Sequence, residues 1–144
     1  MSDRLEGLRL LTDGVFLRPI SYAAVYEMLH ELPGVLKMTP LSPPIVMCTE
    51  TSIHGMQIIA ESHIAVVAHV SSESQWHGSI DISTCKPAAL DRGKVLGYLR
   101  ERWGYDHHTV HFLPWETEPP IRQHPLDVPD EIDLGETIIM PRVG

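Results

Sequence analysis

Two short segments hold the side chains best suited to chemistry. Ala60-Glu61-Ser62-His63-Ile64 sets a hydroxyl between a carboxylate and an imidazole, and Asp81-Ile82-Ser83-Thr84-Cys85 ends in a thiol. Hydroxyls and thiols serve as nucleophiles, and a thiol with a reference pKa of about 8.5 can also deliver a proton near neutral pH. Taken alone, a serine between strands is a turn residue and a cysteine at a strand end is a small core residue. His69 reads alone as a sheet histidine, and Glu73, within Ser71-Ser72-Glu73-Ser74, as a solvated carboxylate. His107, His108 and His111 invite a metal reading. On a strand, however, His108 and His111 point to opposite faces. His107 and His111 share a face but stand about 13 Å apart along it, too far for one zinc ion bound at about 2.0–2.1 Å. No metal site is expected. Glycine-rich phosphate loops are absent, and Leu99 and Trp103 read as core.

The elements around these segments follow from pattern. Leu8 to Val15 reads as a first strand, with Asp13-Gly14 as a turn. Ala23, Ala24, Val25, Met28, Leu29 and Leu32 have helical spacing behind Ser21 as N-cap, and Pro33-Gly34 is the expected stop. Ile45 to Thr49, Met56 to Ala60, Ile64 to Val70 and Ser79 to Cys85 read as strands. In the last of these, Ile80, Ile82 and Thr84 share one face, and Ser79, Asp81, Ser83 and Cys85 the other. Pro87 is expected to open a second helix with Leu96, Leu99 and Trp103 as its stripe and Gly104 as its stop. Thr109 to Leu113 is the last strand. This order predicts an α/β (α+β) two-layer sandwich, a mostly antiparallel sheet with two helices on one face. Residues 1–113 would form the domain. Residues 114–144, acidic and punctuated by Pro114, Pro119, Pro120, Pro125, Pro129 and Pro141, would form an extended tail that wraps the domain or a partner subunit.

With its flanks, the Glu61-Ser62-His63 triplet resembles the prokaryotic S-adenosylmethionine decarboxylases. In that family a Glu-Ser-His triplet holds a self-cleavage site, followed by His-Thr-Trp-Pro-Glu and then by Asp-hydrophobic-Phe-Thr-Cys-Gly. Here His69-Val70-Ser71-Ser72-Glu73 echoes the second stretch, and Asp81 to Cys85, followed by Lys86, matches the third. Gly55 matches a family glycine, and the likeness runs from about Gly7 to Pro114. It implies that Ser62 attacks the Glu61 carbonyl, that the chain is cleaved between them, and that a pyruvoyl group derived from Ser62 becomes the cofactor. That carbonyl would form a Schiff base with the substrate amine and act as electron sink for decarboxylation. By the same resemblance, Cys85 returns the proton to carbon, His69 assists processing and Glu73 anchors the substrate. A homo-oligomer, a dimer of cleaved protomers, is implied too.

The chain departs from that pattern in several places. Seven residues separate Ser62 from His69, two more than in the family. A strand bulge would let His69 face the serine side; without one, Val67 takes the family histidine position. Ser71 stands for the family tryptophan, and Cys48 aligns near a family phenylalanine. Those two aromatics stack on adenine, at about 1–3 kcal/mol per ring. His54 replaces a processing serine, and Trp76 is a candidate to refill the space. Three readings follow: an S-adenosylmethionine decarboxylase of spermidine (polyamine) biosynthesis; a pyruvoyl decarboxylase of a smaller amino acid such as arginine or ornithine; or a non-cleaving relative that binds a ligand or partner chain.

Bulk composition narrows the field. The 144 residues carry 11 Lys and Arg against 19 Asp and Glu, a formal charge of −8. That disfavours a nucleic-acid partner and suits a cationic small molecule. No apolar run of membrane-spanning length and no signal sequence is expected. Cys48 and Cys85 are too few for a disulfide framework, which points to the reducing cytoplasm.

Overall fold

The computed structural model describes residues 6–115. The elements run β1 (Leu8–Phe16), α1 (Tyr22–Val35), β2 (Ile45–Cys48), β3 (Ser52–Ile59), β4 (Ser62–Val70), β5 (Trp76–Thr84), α2 (Arg92–Trp103) and β6 (Tyr105–Pro114). The strands form one six-stranded sheet in the order β2-β3-β4-β5-β1-β6, every adjacent pair antiparallel. Both helices lie on one face, so the α+β two-layer sandwich is the fold. Period-two alternation sorts the strands. Ile53, Ile59, Ile64, Val66, Ala68, Ile80, Ile82 and Leu10 are buried against the helices. Residues between them, including His54, Met56, His63, Ala65, Asp81 and Arg9, occupy the opposite, open face.

Helix α1 begins as its sequence asks. The Ser21 hydroxyl accepts the Ala24 N–H at 3.1 Å, and Val25, Met28, Leu29 and Leu32 form the buried stripe. Pro33-Gly34 does not stop it. The helix continues to Val35, because Leu32, Pro33 and Leu36 are all buried and hold the last turn. A side chain at Gly55 would collide with Val25 and Leu29 of α1, so this glycine is what lets the helix settle on β3.

Further expectations change. Asp13-Gly14 is no turn: both residues lie inside β1, where the register with β6 shifts. A Cβ at Gly14 would collide with the Asp106 carbonyl, so glycine marks a close backbone approach at a bulge. The extra residue is His108, and the bulge reverses parity beyond it. His107 stands opposite Gly14 on the helix side, whereas His111 stands opposite Leu11 on the open side; the two do not share a face. Pro87 opens only a short 3-10 turn, Pro87–Ala89. The helix proper starts after Asp91, whose carboxylate accepts the Lys94 N–H at 3.0 Å. It buries Val95 with Leu99 and Trp103, with Leu96 partly buried against the same core, and it closes on Gly104 at φ 70°. Finally, Pro114 completes β6, and the Trp115 N–H donates to the Gly7 carbonyl at 3.0 Å. The rest of the expected tail lies outside the described residues.

Candidate active site

Strands β3 and β4 are joined by a two-residue turn, Ala60-Glu61, so Ser62 is the first residue of β4 and pairs with Ile59 on one side and Thr84 on the other. That register brings the end of β5 to the turn. The Cys85 N–H donates to the Glu61 carbonyl oxygen at 2.9 Å. This is the carbonyl a Ser62 nucleophile would attack, and a backbone donor already faces the oxygen on which charge would develop. Ser62 itself has φ 156°, a region that residues with a Cβ rarely adopt, and such outliers concentrate at functional sites.

The Glu61 side chain is turned inward, only 4% exposed. One carboxylate oxygen accepts the Thr39 N–H at 3.1 Å. The other lies 3.4 Å from the Lys86 ammonium. Burial pushes this carboxyl up, but the Thr39 and Glu61 N–H groups and the Lys86 cation outweigh it and hold the group below the usual carboxylate range. Lys86, which stands where the resembled family has glycine, is thus a partner of the residue before the serine. The carboxylate and ammonium fix the turn on which Ser62 sits.

On the open face beside Ser62 lies a polar group that the sequence alone did not bring together. The Ser62 Oγ is 3.2 Å from Nδ1 of His63. The other ring nitrogen of His63 is 3.9 Å from Asp81. Asp81 in turn accepts two 2.9 Å hydrogen bonds from the Arg9 guanidinium. The Trp115 indole N–H donates to Ser83 Oγ at 3.0 Å, laying the ring across Gly7, where a Cβ would overlap it. Trp115 also lines a cavity of about 310 Å³ with Glu6, Gly7, Leu8, Pro87 and Pro114. Leu8 pairs with Thr84 and Pro87 lies two residues past Cys85, so this cavity sits at the same end of the sheet as the Ala60-Glu61 turn. Pairing register was the missing signal for Arg9 and Trp115: sequence spacing alone does not show which strand lies beside which.

The remaining expected site residues lie elsewhere. Strand β4 pairs in unbroken register along both edges, so the bulge that would bring His69 round does not exist. His69 stands seven residues along β4, roughly 23 Å from Ser62, and stacks on His77 with ring centroids 5.3 Å apart. Val67 occupies the family histidine position, opposite His54. Glu73 lies exposed in the β4–β5 turn, lining a cavity of about 430 Å³ with Trp76 and Arg18. The chain therefore joins Glu61, Ser62 and Cys85 at one end of the sheet and places His69, Glu73 and Trp76 at the other. Another hollow, about 540 Å³, lies on the solvent side of α1 among Tyr22, Ala23, Tyr26, Glu27 and His30, and none of the expected site residues lines it. Among the described residues no three His, Cys, Asp or Glu side chains are grouped to hold a metal ion.

Comparison with solved structures decides the architecture. The chain superimposes on the crystal structure of the adenosylmethionine decarboxylase from Aquifex aeolicus VF5 with a TM-score of 0.54 and 21% identity, over 78% of this chain and 91% of that one. The chain has the adenosylmethionine decarboxylase fold. No protein-family profile and no curated protein sequence matches it. Within this decarboxylase fold the Ala60-Glu61 hairpin, the Cys85 strand end and the open sheet face are the features that the chain's own residues equip for chemistry. Among the described residues no helix is long and apolar enough to cross a membrane.

Proposed function

We propose that the protein is a self-processing, pyruvoyl-dependent decarboxylase of S-adenosylmethionine serving polyamine biosynthesis. The observation that carries this reading is the 2.9 Å hydrogen bond from the Cys85 N–H to the Glu61 carbonyl, on the peptide bond that precedes Ser62. Attack by the Ser62 oxygen on the Glu61 carbonyl carbon places negative charge on an oxygen whose donor is in position. Collapse breaks the bond to the Ser62 nitrogen and leaves an ester. Loss of the Ser62 Cα proton then expels the Glu61 carboxylate, and water releases ammonia from the remaining enamine, giving a pyruvoyl N-terminus. The φ of 156° at Ser62 favours the first step, since backbone strain of order 1–3 kcal/mol is relieved when the peptide bond opens.

The residues present fit that cofactor. A pyruvoyl group supplies a carbonyl that takes up the electron pair left when a carboxylate departs as carbon dioxide. The Cys85 thiol, on the residue whose N–H marks the cleavage point, holds at Sγ the proton that carbon then needs. The Trp115 ring beside the same strand end offers a stacking surface for a planar base, which supports S-adenosylmethionine over a smaller amino acid.

A second copy of the chain completes the reading. The open face of the sheet exposes Ile45, Met47, Met56, Ile58 and Leu113, an apolar surface suited to a partner sheet. Two copies packed face to face with their strands opposed would set the Glu73 end of one over the Ser62 end of the other. That arrangement lets Glu73 anchor substrate, as the resemblance implies. The cytoplasm suits two unpaired thiols, Cys48 and Cys85.

Intact mass of the freshly purified, denatured protein tests the reading. Two fragments, residues 1–61 and a pyruvoyl-blocked 62–144, are expected. One unbroken chain that persists on incubation would sink it and leave a non-cleaving relative.

A further inference from the structure

The Ser62 hydroxyl must lose a proton to attack, and His69 is roughly 23 Å away along the strand. We propose that His63 is the base that takes this proton, and that Asp81 and Arg9 are positioning residues that set its tautomer. This inference rests on the self-processing reading and assigns its first proton transfer.

Three adjacent strands build the arrangement. His63 lies on β4 opposite Ser83 of β5, and Ser83 lies opposite Arg9 of β1. Asp81 is two residues from Ser83 on the same face, so its carboxylate reaches both His63 and Arg9 diagonally. The Arg9 Nε and Nη2 donate to the two Asp81 oxygens, each at 2.9 Å. This two-pronged pairing is the strong, directional form of the arginine–carboxylate bond and fixes the Asp81 carboxylate in place. The imidazole nitrogen that faces this carboxylate, across 3.9 Å, is Nε2, and the proposal places the ring proton there. Nδ1 is left with its lone pair, and Nδ1 is the nitrogen 3.2 Å from Ser62 Oγ. Ser62 Oγ and the imidazole are within hydrogen-bond reach, and the carboxylate stands behind the ring at a longer distance, the same order of groups that activates serine in unrelated folds.

The electron and proton balance is simple. The Oγ–H proton passes to Nδ1 as Oγ bonds to the Glu61 carbonyl carbon. The charge on the carbonyl oxygen faces the Cys85 N–H. As the carbon–nitrogen bond breaks, Nδ1 returns the proton to the Ser62 nitrogen, and the ring is neutral again. Nothing is oxidised or reduced, and no co-reactant is consumed in this step.

The test follows cleavage of the full chain by intact mass after rapid synthesis, so the readout is the broken chain rather than decarboxylation. His63→Ala is expected to slow cleavage by about 10²–10⁴-fold, and added imidazole to restore part of the rate. Asp81→Asn is expected to slow it about tenfold in the wild-type background and not at all in the His63→Ala background, because a residue that acts through His63 has nothing left to orient. A merely structural Asp81 would add its effect in both. Should His63→Ala fail to fold, His63→Asn is judged by the same rates. A wild-type chain that never cleaves overturns the self-processing reading itself. A wild-type chain that cleaves while the folded His63 variants match its rate overturns this inference alone.

Discussion

Strand β4 is bounded by two turns, each with a glutamate, and they could hardly be treated more differently. At Ala60-Glu61 the carboxylate is buried, bonded to the Thr39 N–H and paired with Lys86, while its own carbonyl accepts the Cys85 N–H. At Ser71–Gln75 the Glu73 side chain is exposed, and the turn is closed by its own residues: Ser71 N–H to the Gln75 carbonyl at 2.8 Å, and Glu73 and Gln75 N–H to Ser71 Oγ. The second turn is self-contained and asks nothing of the rest of the chain. The first is fixed by residues from two distant stretches, Thr39 and Cys85-Lys86, and burying a charge costs several kcal/mol unless partners offset it. The buried carboxylate ties the first hairpin to the rest of the fold, while the second only reverses the chain's direction.

The sharpest way to break this contrast is to remove the nucleophile. Ser62→Ala is expected to abolish cleavage altogether, leaving one 16.2 kDa chain by intact mass, while the melting temperature stays near that of uncleaved wild type. Cleavage that persists in this variant would place the chemistry at another bond and strip the first turn of its role.

Next in size is the separation of two jobs at Cys85. Its backbone N–H faces the Glu61 carbonyl, whereas its thiol is free. Cys85→Ala keeps the N–H, so cleavage is expected within about twofold of wild type, but decarboxylation of S-adenosylmethionine, followed as released carbon dioxide, should fall by about 10²-fold or more, the usual worth of a placed acid. Equal losses in both would mean that the side chain, not the amide, serves processing.

How much of this was legible beforehand depends on the range of each interaction. Local signals were readable: Ser21 and Gly104 act as expected at the ends of α1 and α2, and the alternation of Ile80, Ile82 and Thr84 correctly gave the buried face of β5. The Glu61-Ser62-His63 triplet and Cys85 were visible by type, and the structure places them together. What failed was non-local. Asp13-Gly14 looks like a turn until β6 is laid against it, and Pro33 looks like a stop until the burial of Leu36 is counted. His69 looked reachable because a bulge in β4 is silent in sequence, whereas the bulge that exists is in β6, at His108. Arg9 and Trp115 were invisible because 72 and 32 residues separate them from Asp81 and Ser83.

A third experiment weighs the buried carboxylate directly. Glu61→Gln keeps the shape but removes the charge that faces Lys86 and Thr39, and hydrogen bonds to a charged group are each worth about 1.5–3 kcal/mol. A loss of about 2 kcal/mol in urea unfolding is expected, because Lys86 is largely exposed and its share is screened. The sign with pH follows from the depressed carboxyl. The native state holds Glu61 ionised below the unfolded chain's value of 4.5. Its contribution is therefore full above that value and is lost as pH falls through the lower, native one. Wild type should lose its margin over Glu61→Gln on acidification. A margin that grew in acid would mean that the group is neutral in the native turn.

The smallest expected effect is the control for all of these. Glu73→Gln changes the same functional group at the other end of the same strand, where no described residue bonds the carboxylate. Surface substitutions of this kind stay within about 0.5 kcal/mol, so urea midpoint and cleavage rate should both match wild type. The variant still speaks to the second copy. If Glu73 reaches substrate across a dimer, the cleaved Glu73→Gln protein should show a raised KM for S-adenosylmethionine with stability untouched. A stability loss equal to that of Glu61→Gln would instead show that both turns are held by their carboxylates, and the difference on which the first was recognised as a site would disappear.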